Sequence, residues 1–367
     1  MIRPVLYVDL PGIIYAIDRR ARARNSEFAH FICTPDAEEP HASLTSLLGS
    51  LFPINPTALT WLCEDHWRIL GVAQACRRAS GCAWDLTYLA SLPNRSGDGP
   101  PDGDVLMELL EYVVNAAITH GVQRVFAKVE EDTDDLELFL RCSFQRYAHE
   151  LTFCLPQGAS AQIAAPPDDL PLRRWHRHDQ WGLLRLYAAN APHMVQVAEN
   201  VDSNEYTSLR VGQLPRWQLP FLPAHEQGFV YDLGVRLGGW VQVRRGSGLH
   251  PHQISLMVHP DNTDLATPLL RFALSLLGEG GDARPVYCQV REYEGAVVSA
   301  LRDSGFEHVA TRALLVRHLT LRAMQRRFVS ALEQRVAYGV KGLGTAHTRY
   351  QSHAQPTTNP EPLAHMR

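Results

Sequence analysis

The sequence is short of lysine, of cysteine pairs, of surplus positive charge and of long apolar runs, and each shortage excludes a class. Lys128 and Lys341 are the only lysines among 35 basic residues, the rest being arginine. With a formal net charge of −4, no general nucleic-acid partner is expected. The charge is uneven: −8 over residues 1–165, −1 over 166–318 and +5 over 319–367. The seven cysteines, Cys33, Cys63, Cys76, Cys82, Cys142, Cys154 and Cys288, are odd in number and contain no CxxC. They read as buried, inert thiols of a reducing compartment. No apolar run approaches the roughly 20 residues of a spanning helix, so no membrane partner is expected. The first twenty residues lack a basic start, a long apolar core and a small-residue cleavage site, which makes a cytoplasmic location the expectation. No P-loop and no Ser/His/Asp arrangement occurs.

What is present is an internal repeat. At 367 residues with 45% hydrophobic content, the chain has material for two cores. In the first half, LTYLASLP (86–93) reads as a strand. A Gly/Pro/Asp loop follows, then a helix with Val105, Leu106, Leu109, Leu110, Val113, Val114 and Ala117 at helical spacing, ended by Gly121. VQRVFAKV (122–129) is a strand, 133–142 a helix, Ser143-Phe144 a corner and YAHELTFCL a strand. The second half repeats this order. HQISLMVHP (252–260) is a strand, and the next helix carries Leu265, Leu269, Leu270, Ala273, Leu276 and Leu277. ARPVYCQV (283–290) is a strand, 294–303 a helix, Gly305-Phe306 a corner and ALLVRHLTL a strand. Phe144 and Phe306 are 162 apart, Val129 and Val290 161 apart. A near-constant offset marks a duplicated unit. Each half opens with a short strand and a helix, near 11–20 and at 179–190, the second capped by Asp179, followed by a hairpin. The order β-α-β-β-β-α-β-α-β fits a mixed sheet with helices on both faces.

The second half resembles the GNAT acyltransferase superfamily through Val258-His259-Pro260 at a strand end, Leu269-Leu270 in the next helix, VYCQV, and Leu301 to Phe306 (LRDSGF). The first half resembles it through Leu92-Pro93, Leu109-Leu110, FAKV and Ser143-Phe144. The resemblance implies an α/β chain of two tandem GNAT-like (acyl-CoA N-acyltransferase) domains, each a mixed, mostly antiparallel sheet flanked by helices. The expected boundaries are 1–155, a linker at 156–171, a second domain at 172–320, a helix at 321–345 and a disordered tail at 346–367. The two halves are expected to form two separate, similar sheets.

The resemblance further implies transfer of an acetyl group from acetyl-CoA to a small-molecule or peptide amine. In such proteins a loop and helix N-terminus after the fourth strand cradle the cofactor's pyrophosphate with backbone N–H groups. The first-half loop, NRSGDGPPDGDVLME, offers Asn94, Arg95, Gly97, Gly99 and Gly103, with Leu92 at the strand end. A flexible Gly/Pro turn capped by Asp104 is the other reading. The second-half loop, DNTDLATP (261–268), lacks glycine and any basic residue. It keeps Val258 and Ala266 at the family positions but turns Asp261 and Asp264 toward the phosphate. At most one coenzyme A per chain is therefore expected.

The family's general-acid tyrosine falls on Leu301 and Phe139, which donate no proton; Tyr293 and Tyr147 are nearby but out of register. A general base is expected just after the fifth strand, at Glu130 or Glu131 in the first half and Glu292 or Glu294 in the second. A solvated acidic loop that caps the next helix explains the same residues. The competing class is an inactive GNAT-fold binding or scaffold protein, and an enzyme using another acyl donor is a third possibility. His176-x-His178 and His250-x-His252 place paired imidazoles on a strand face without a third ligand, so no metal is expected. Tyr206, Trp217 and Phe221, in the long connection 201–228, suit a lid or simple packing.

Overall fold

A computed structural model describes residues 1–9, 11–13, 58–66, 68–78, 80–91, 102–131, 133–156, 170–200, 226–246, 251–278 and 284–319. Most of the expected linker, the 201–228 connection, the 321–345 helix and the tail lie outside them. The first half comprises β1 (Ile2–Pro4), β2 (Ala58–Asp65), β3 (Arg68–Arg77), β4 (Ala83–Ser91), α1 (Asp102–Thr119), β5 (Arg124–Glu130), α2 (Asp134–Arg141) and β6 (Gln145–Leu155). The second comprises β7 (Leu172–Arg174), α3 (Gln180–Asn190), α4 (His193–Glu199), β8 (Glu226–Asp232), β9 (Leu237–Arg244), β10 (His252–Val258), α5 (Ala266–Gly278), β11 (Val286–Arg291), α6 (Gly295–Asp303) and β12 (Glu307–His318).

The mixed α/β halves with their repeat are present, but the expectation of two separate sheets is overturned. All strands among the described residues form one 12-stranded sheet in the order β1-β2-β3-β4-β5-β12-β6-β11-β10-β9-β8-β7. The closing strands are exchanged. β12 completes the first half beside β5, and β6 completes the second beside β11. The two exchanged strands pair antiparallel at the centre, with Glu150 opposite Arg312, its counterpart 162 residues on. A pseudo-twofold axis therefore passes between these two residues.

Alternation places the cores. Val125, Ala127 and Val129 of β5 and Ala313 and Leu315 of β12 point to α1 and α2, against Leu109, Leu110, Val113 and Phe139. On the same sheet face Phe153, Leu155, Val286, Cys288 and Val290 meet Leu269, Leu270, Ala273 and Leu301 of α5 and α6. The opposite face carries α3 and α4, whose Leu183, Leu186 and Val195 pack on Trp240, Met257 and Leu314. The α1 stripe is fully buried as its spacing predicted.

The repeat reaches details of the chain path. Leu70 and Gly238 are the extra residues of matching bulges, as are Tyr147 and Val309. Gly71 and Gly239 both lie where a helix leans on the sheet, with Leu109 Cδ1 and Leu269 Cδ1 within 2.8 and 2.6 Å of an added Cβ. Each half also opens on the same corner. Arg3 donates to both Asp9 oxygens at 2.7 and 2.8 Å and to Glu64; Arg173 donates to both Asp179 oxygens at 2.8 and 2.7 Å and to Asp232. These bonds hold the Asp9, Asp179 and Asp232 carboxyls below the usual carboxylate range. The carboxylate of Asp179 thus serves this corner, and it makes no side-chain cap bond to α3 from its N-cap position, because Arg173 and the His176 N–H hold its oxygens.

Candidate active site

The two parallel pairs of the sheet are short. β4 pairs with β5 only over Ala83–Asp85, and β10 with β11 only over His252–Ile254, although all four strands run further. Beyond those residues each pair splays into a wedge at its carboxyl end. In an open α/β sheet such an end, where the connections diverge, is the place for a ligand. Each wedge leaves strand N–H and C=O groups outside the β4–β5 and β10–β11 ladders.

Beside the second wedge the α3–α4 face is filled. Arg291, at the end of β11, donates to Glu199 Oε1 at 3.1 Å. Tyr147 Oη donates to the same oxygen at 3.1 Å, and Tyr187 Oη donates to Oε2 at 2.6 Å. Glu199 is buried. Burial, reinforced by Glu199, holds both phenols well above their ordinary range, so they stay protonated. Tyr147 is therefore a donor locked onto a carboxylate and a poor proton source for a thiolate. Arg124 of β5 closes the end of α4, donating to the Ala198 and Glu199 carbonyls at 3.3 and 3.1 Å.

The first wedge has a different neighbourhood. The repeat counterpart of Arg291 is Glu130, and that of Tyr147 is Val309; both are exposed. Among the described residues the Glu130 carboxylate makes no ion pair. Lys128, two residues back on the same face, bonds both Glu150 oxygens at 2.9 and 3.0 Å. Burial pushes the Glu150 carboxyl up, but Lys128 and Arg291 outweigh it and hold it down at about 2.

The other predicted bases are occupied. Glu131 pairs with Arg146 and with His149 Nε2, the latter at 3.0 Å. Glu292 lies 2.6 Å from His149 Nδ1 and accepts from the His149 N–H at 3.2 Å. These two repeat-related glutamates thus clamp one imidazole between them. Glu294 is buried at the start of α6, accepting from the Arg291 N–H at 3.0 Å. Of the four, Glu130 alone combines exposure with an unengaged carboxylate.

In the loop after β10, Pro260–Leu265 forms a 3-10 helix, and the Thr263 carbonyl accepts from the Ala266 N–H at the start of α5. One of that helix's first donors is therefore taken. Ala266 and Val258 are buried. The loop itself carries no basic residue, but Arg236, from the β8–β9 turn, reaches Asp261 at 2.7 Å. Burial, then Arg236, lowers the His259 pKa. In the first loop, Leu92, Asn94, Arg95, Gly97 and Gly99 lie outside the described residues. Gly103 sits exposed in the first turn of α1, with open space around an added Cβ.

His176 caps a 3-10 turn, Arg177–Asp179, and His178 lies within it, so neither is on a strand; their rings stack at 5.2 Å. They lie with Asp179 within 4.8 Å of one another, but both Asp179 oxygens accept from Arg173, whose charge opposes a cation. The first-half counterparts of these histidines are Leu6 and Val8, while the Arg–Asp corner is kept. His252 is buried, its Nδ1 accepting from the Gly246 N–H at 2.9 Å.

Comparison with solved structures decides the architecture. A tandem GNAT protein from the clavulanic acid biosynthesis pathway, solved without AcCoA, aligns over 87% of this chain and 98% of its own, with a TM-score of 0.56 and 15% identity. The fold is a tandem GNAT fold. A GCN5-related N-acetyltransferase from Sphaerobacter thermophilus aligns over 87% of this chain and 95% of its own, with a TM-score of 0.51 and 13% identity. No protein-family model and no curated protein sequence matches the chain. Among the described residues no helix of this tandem GNAT fold is long and apolar enough to cross a membrane.

The charge network at the sheet centre went unnoticed in sequence. Arg291 and Glu199 are 92 residues apart, and only the strand exchange brings Tyr147 to them. The Arg–Asp corner did leave a signal: an arginine and an aspartate six apart, at 3 and 9 and again at 173 and 179.

Proposed function

We propose that the chain is an N-acetyltransferase whose active half is the first, taking acetyl-CoA along the β4–β5 wedge and acetylating a small amine. The observation that carries this reading is the exposed, unengaged Glu130 at the end of β5, beside a wedge of the kind that parallel strand ends offer to ligands. The Gly-containing loop 94–103 and the start of α1 supply backbone donors for the pyrophosphate. Glu130 takes a proton from the bound ammonium. The amine nitrogen then forms a C–N bond with the acetyl carbonyl carbon. The C–S bond breaks with its electron pair passing to sulfur, and the thiolate takes a proton from solvent. The remaining ammonium-derived proton leaves to water, and Glu130 returns its own proton to solvent.

The second half serves as a structural partner. Support comes from the half-buried Arg291 and Tyr147 held by the buried Glu199 beside its wedge and from the 3-10 helix that engages the Ala266 N–H. Calorimetric titration with acetyl-CoA tests the assignment. One equivalent per chain is expected, lost in Gly99→Val and kept in Asp264→Ala, which alters an exposed residue of the other loop. Ala266→Val is a poorer control than the loop pattern suggests, because Ala266 is packed. Two equivalents, or loss only in the second-half variant, would place the site in the wrong half. No binding at millimolar cofactor would leave the scaffold reading.

A further inference from the structure

Four charged residues cross the centre of the sheet in one row. Glu130 of β5 lies opposite Arg312 of β12, Arg312 opposite Glu150 of β6, and Glu150 opposite Arg291 of β11. Alternation puts all four on the α3–α4 face, since their strand neighbours Phe126, Leu314 and Ala148 pack there. Opposite charges facing one another across strands ordinarily pair. Here Glu150 is bonded by Lys128 and Arg291 by Glu199. Among the described residues Arg312 bonds neither carboxylate beside it, and its Nη1 is cut off from solvent and has no acceptor. Thr152, diagonal to it on β6, is 6% exposed, and its Oγ1 is also buried without a partner. Buried donors without acceptors are costly, so ordered water, an ion or a ligand is expected to satisfy them.

The two ends of this seam have complementary chemistry. Glu130, exposed and unengaged, suits an ammonium group. The Arg312 guanidinium and the Thr152 hydroxyl suit a carboxylate, which accepts from a planar fork and a hydroxyl together. Adjacent strands are about 4.8 Å apart, so the row between Glu130 and Arg312 spans the length of one small zwitterion. We propose that this seam is the acceptor subsite, that it selects a small amine bearing its own carboxylate, such as a free α-amino acid, and that Arg312 is the residue that reads the carboxylate. This deepens the acyltransferase reading and rests on it only in assigning the bound zwitterion as acceptor.

The test is binding to the full-length protein, read as the shift in Tm. The probes are the twenty common L-amino acids and, for each that binds, the amine lacking the carboxylate. At least one amino acid is expected to raise Tm while its decarboxylated counterpart does not. Calorimetry with that amino acid should then show Arg312→Gln weakening its binding at least about 30-fold. Arg312→Lys, which keeps the charge and loses the fork, should weaken it about tenfold. Glu130→Gln alters an exposed side chain and keeps the test readable if the arginine variants fold poorly; it too should weaken binding about tenfold. Equal stabilisation by the carboxylate-free amine, undiminished binding in Arg312→Gln and Glu130→Gln, or no stabilisation by any of the twenty would overturn the proposal. Amino-acid binding with these sensitivities but without acetyl-CoA binding would overturn the acyltransferase reading and leave this subsite standing.

Discussion

The two halves share strands, bulges, corner brackets and helix contacts, yet their wedges have opposite neighbourhoods. At the end of the fifth strand the first half has an exposed Glu130, the second a half-buried Arg291 tied to Glu199. At the shared bulge of the closing strand the first half presents Val309, 46% exposed, and the second presents Tyr147, bonded to Glu199. The repeat therefore keeps what holds the sheet and differs at these positions beside the wedges. Position in the repeat is no guide to role here; the partner each side chain has acquired is.

Chemistry should break the symmetry most. Glu130→Gln is expected to cost about 10²–10⁴-fold in turnover with acetyl-CoA binding intact, while Glu292→Gln, which only frees one side of His149, stays active. Equal losses would mean that both wedges work, and full activity of Glu130→Gln would reject the base. In stability the second half should be the more brittle at its cluster. Glu199→Ala strands Arg291 and two phenols, and denaturant unfolding should show a loss of about 3–5 kcal/mol. A loss under about 1 kcal/mol would show the cluster to be solvated.

Two smaller contrasts sharpen the comparison. A Cβ at Gly71 would meet the Ala90 carbonyl oxygen at 2.8 Å, whereas at Gly239 the close atom, at 2.6 Å, is the end of the Leu269 side chain and the nearest backbone oxygen lies at 3.4 Å. Gly71→Ala should therefore cost about 1–3 kcal/mol and Gly239→Ala less, because a side chain yields more readily than a carbonyl. Equal Tm losses would contradict this. The smallest effect belongs to the corners after α2 and α6. Gly305 adopts φ 81° at no cost, while Ser143 adopts φ 61° against its Cβ. Ser143→Gly should raise stability by about 0.5–1 kcal/mol, and Gly305→Ser should lower it by a similar amount.

Much of this fold was legible because its signals are local. The α1 stripe, the corner phenylalanines and the constant offset all lie along the chain. The strand exchange was not, because β6 and β12 alternate alike, Leu151, Phe153 and Leu155 against Ala313 and Leu315, and either pattern suits either sheet. At the site, composition singled out four glutamates equally. Strict alternation would have separated Glu130, on the face of Lys128, from Glu131, but the engagement of Glu131, Glu292 and Glu294 depends on His149, Arg146 and the turn into α6. The arginine that answers Asp261 comes from a turn 25 residues upstream, beyond any loop motif.

The exchange of closing strands bears on how the molecule is made. A ribosome delivers β1 to β6 well before β12, so the nascent first half has β5 with a bare edge and β6 with no permanent neighbour on either side. Its sheet is finished only when the chain has emerged as far as His318. Pairing across 194 residues, Arg124 with His318, makes this a fold of high contact order whose last step joins its two ends of assembly. A fragment stopping after β6 would present two open strand edges and should associate with itself and not persist as a monomer. The same interleaving ties the halves together, so either half, whether or not it bound a ligand, would still be needed to complete the other's sheet.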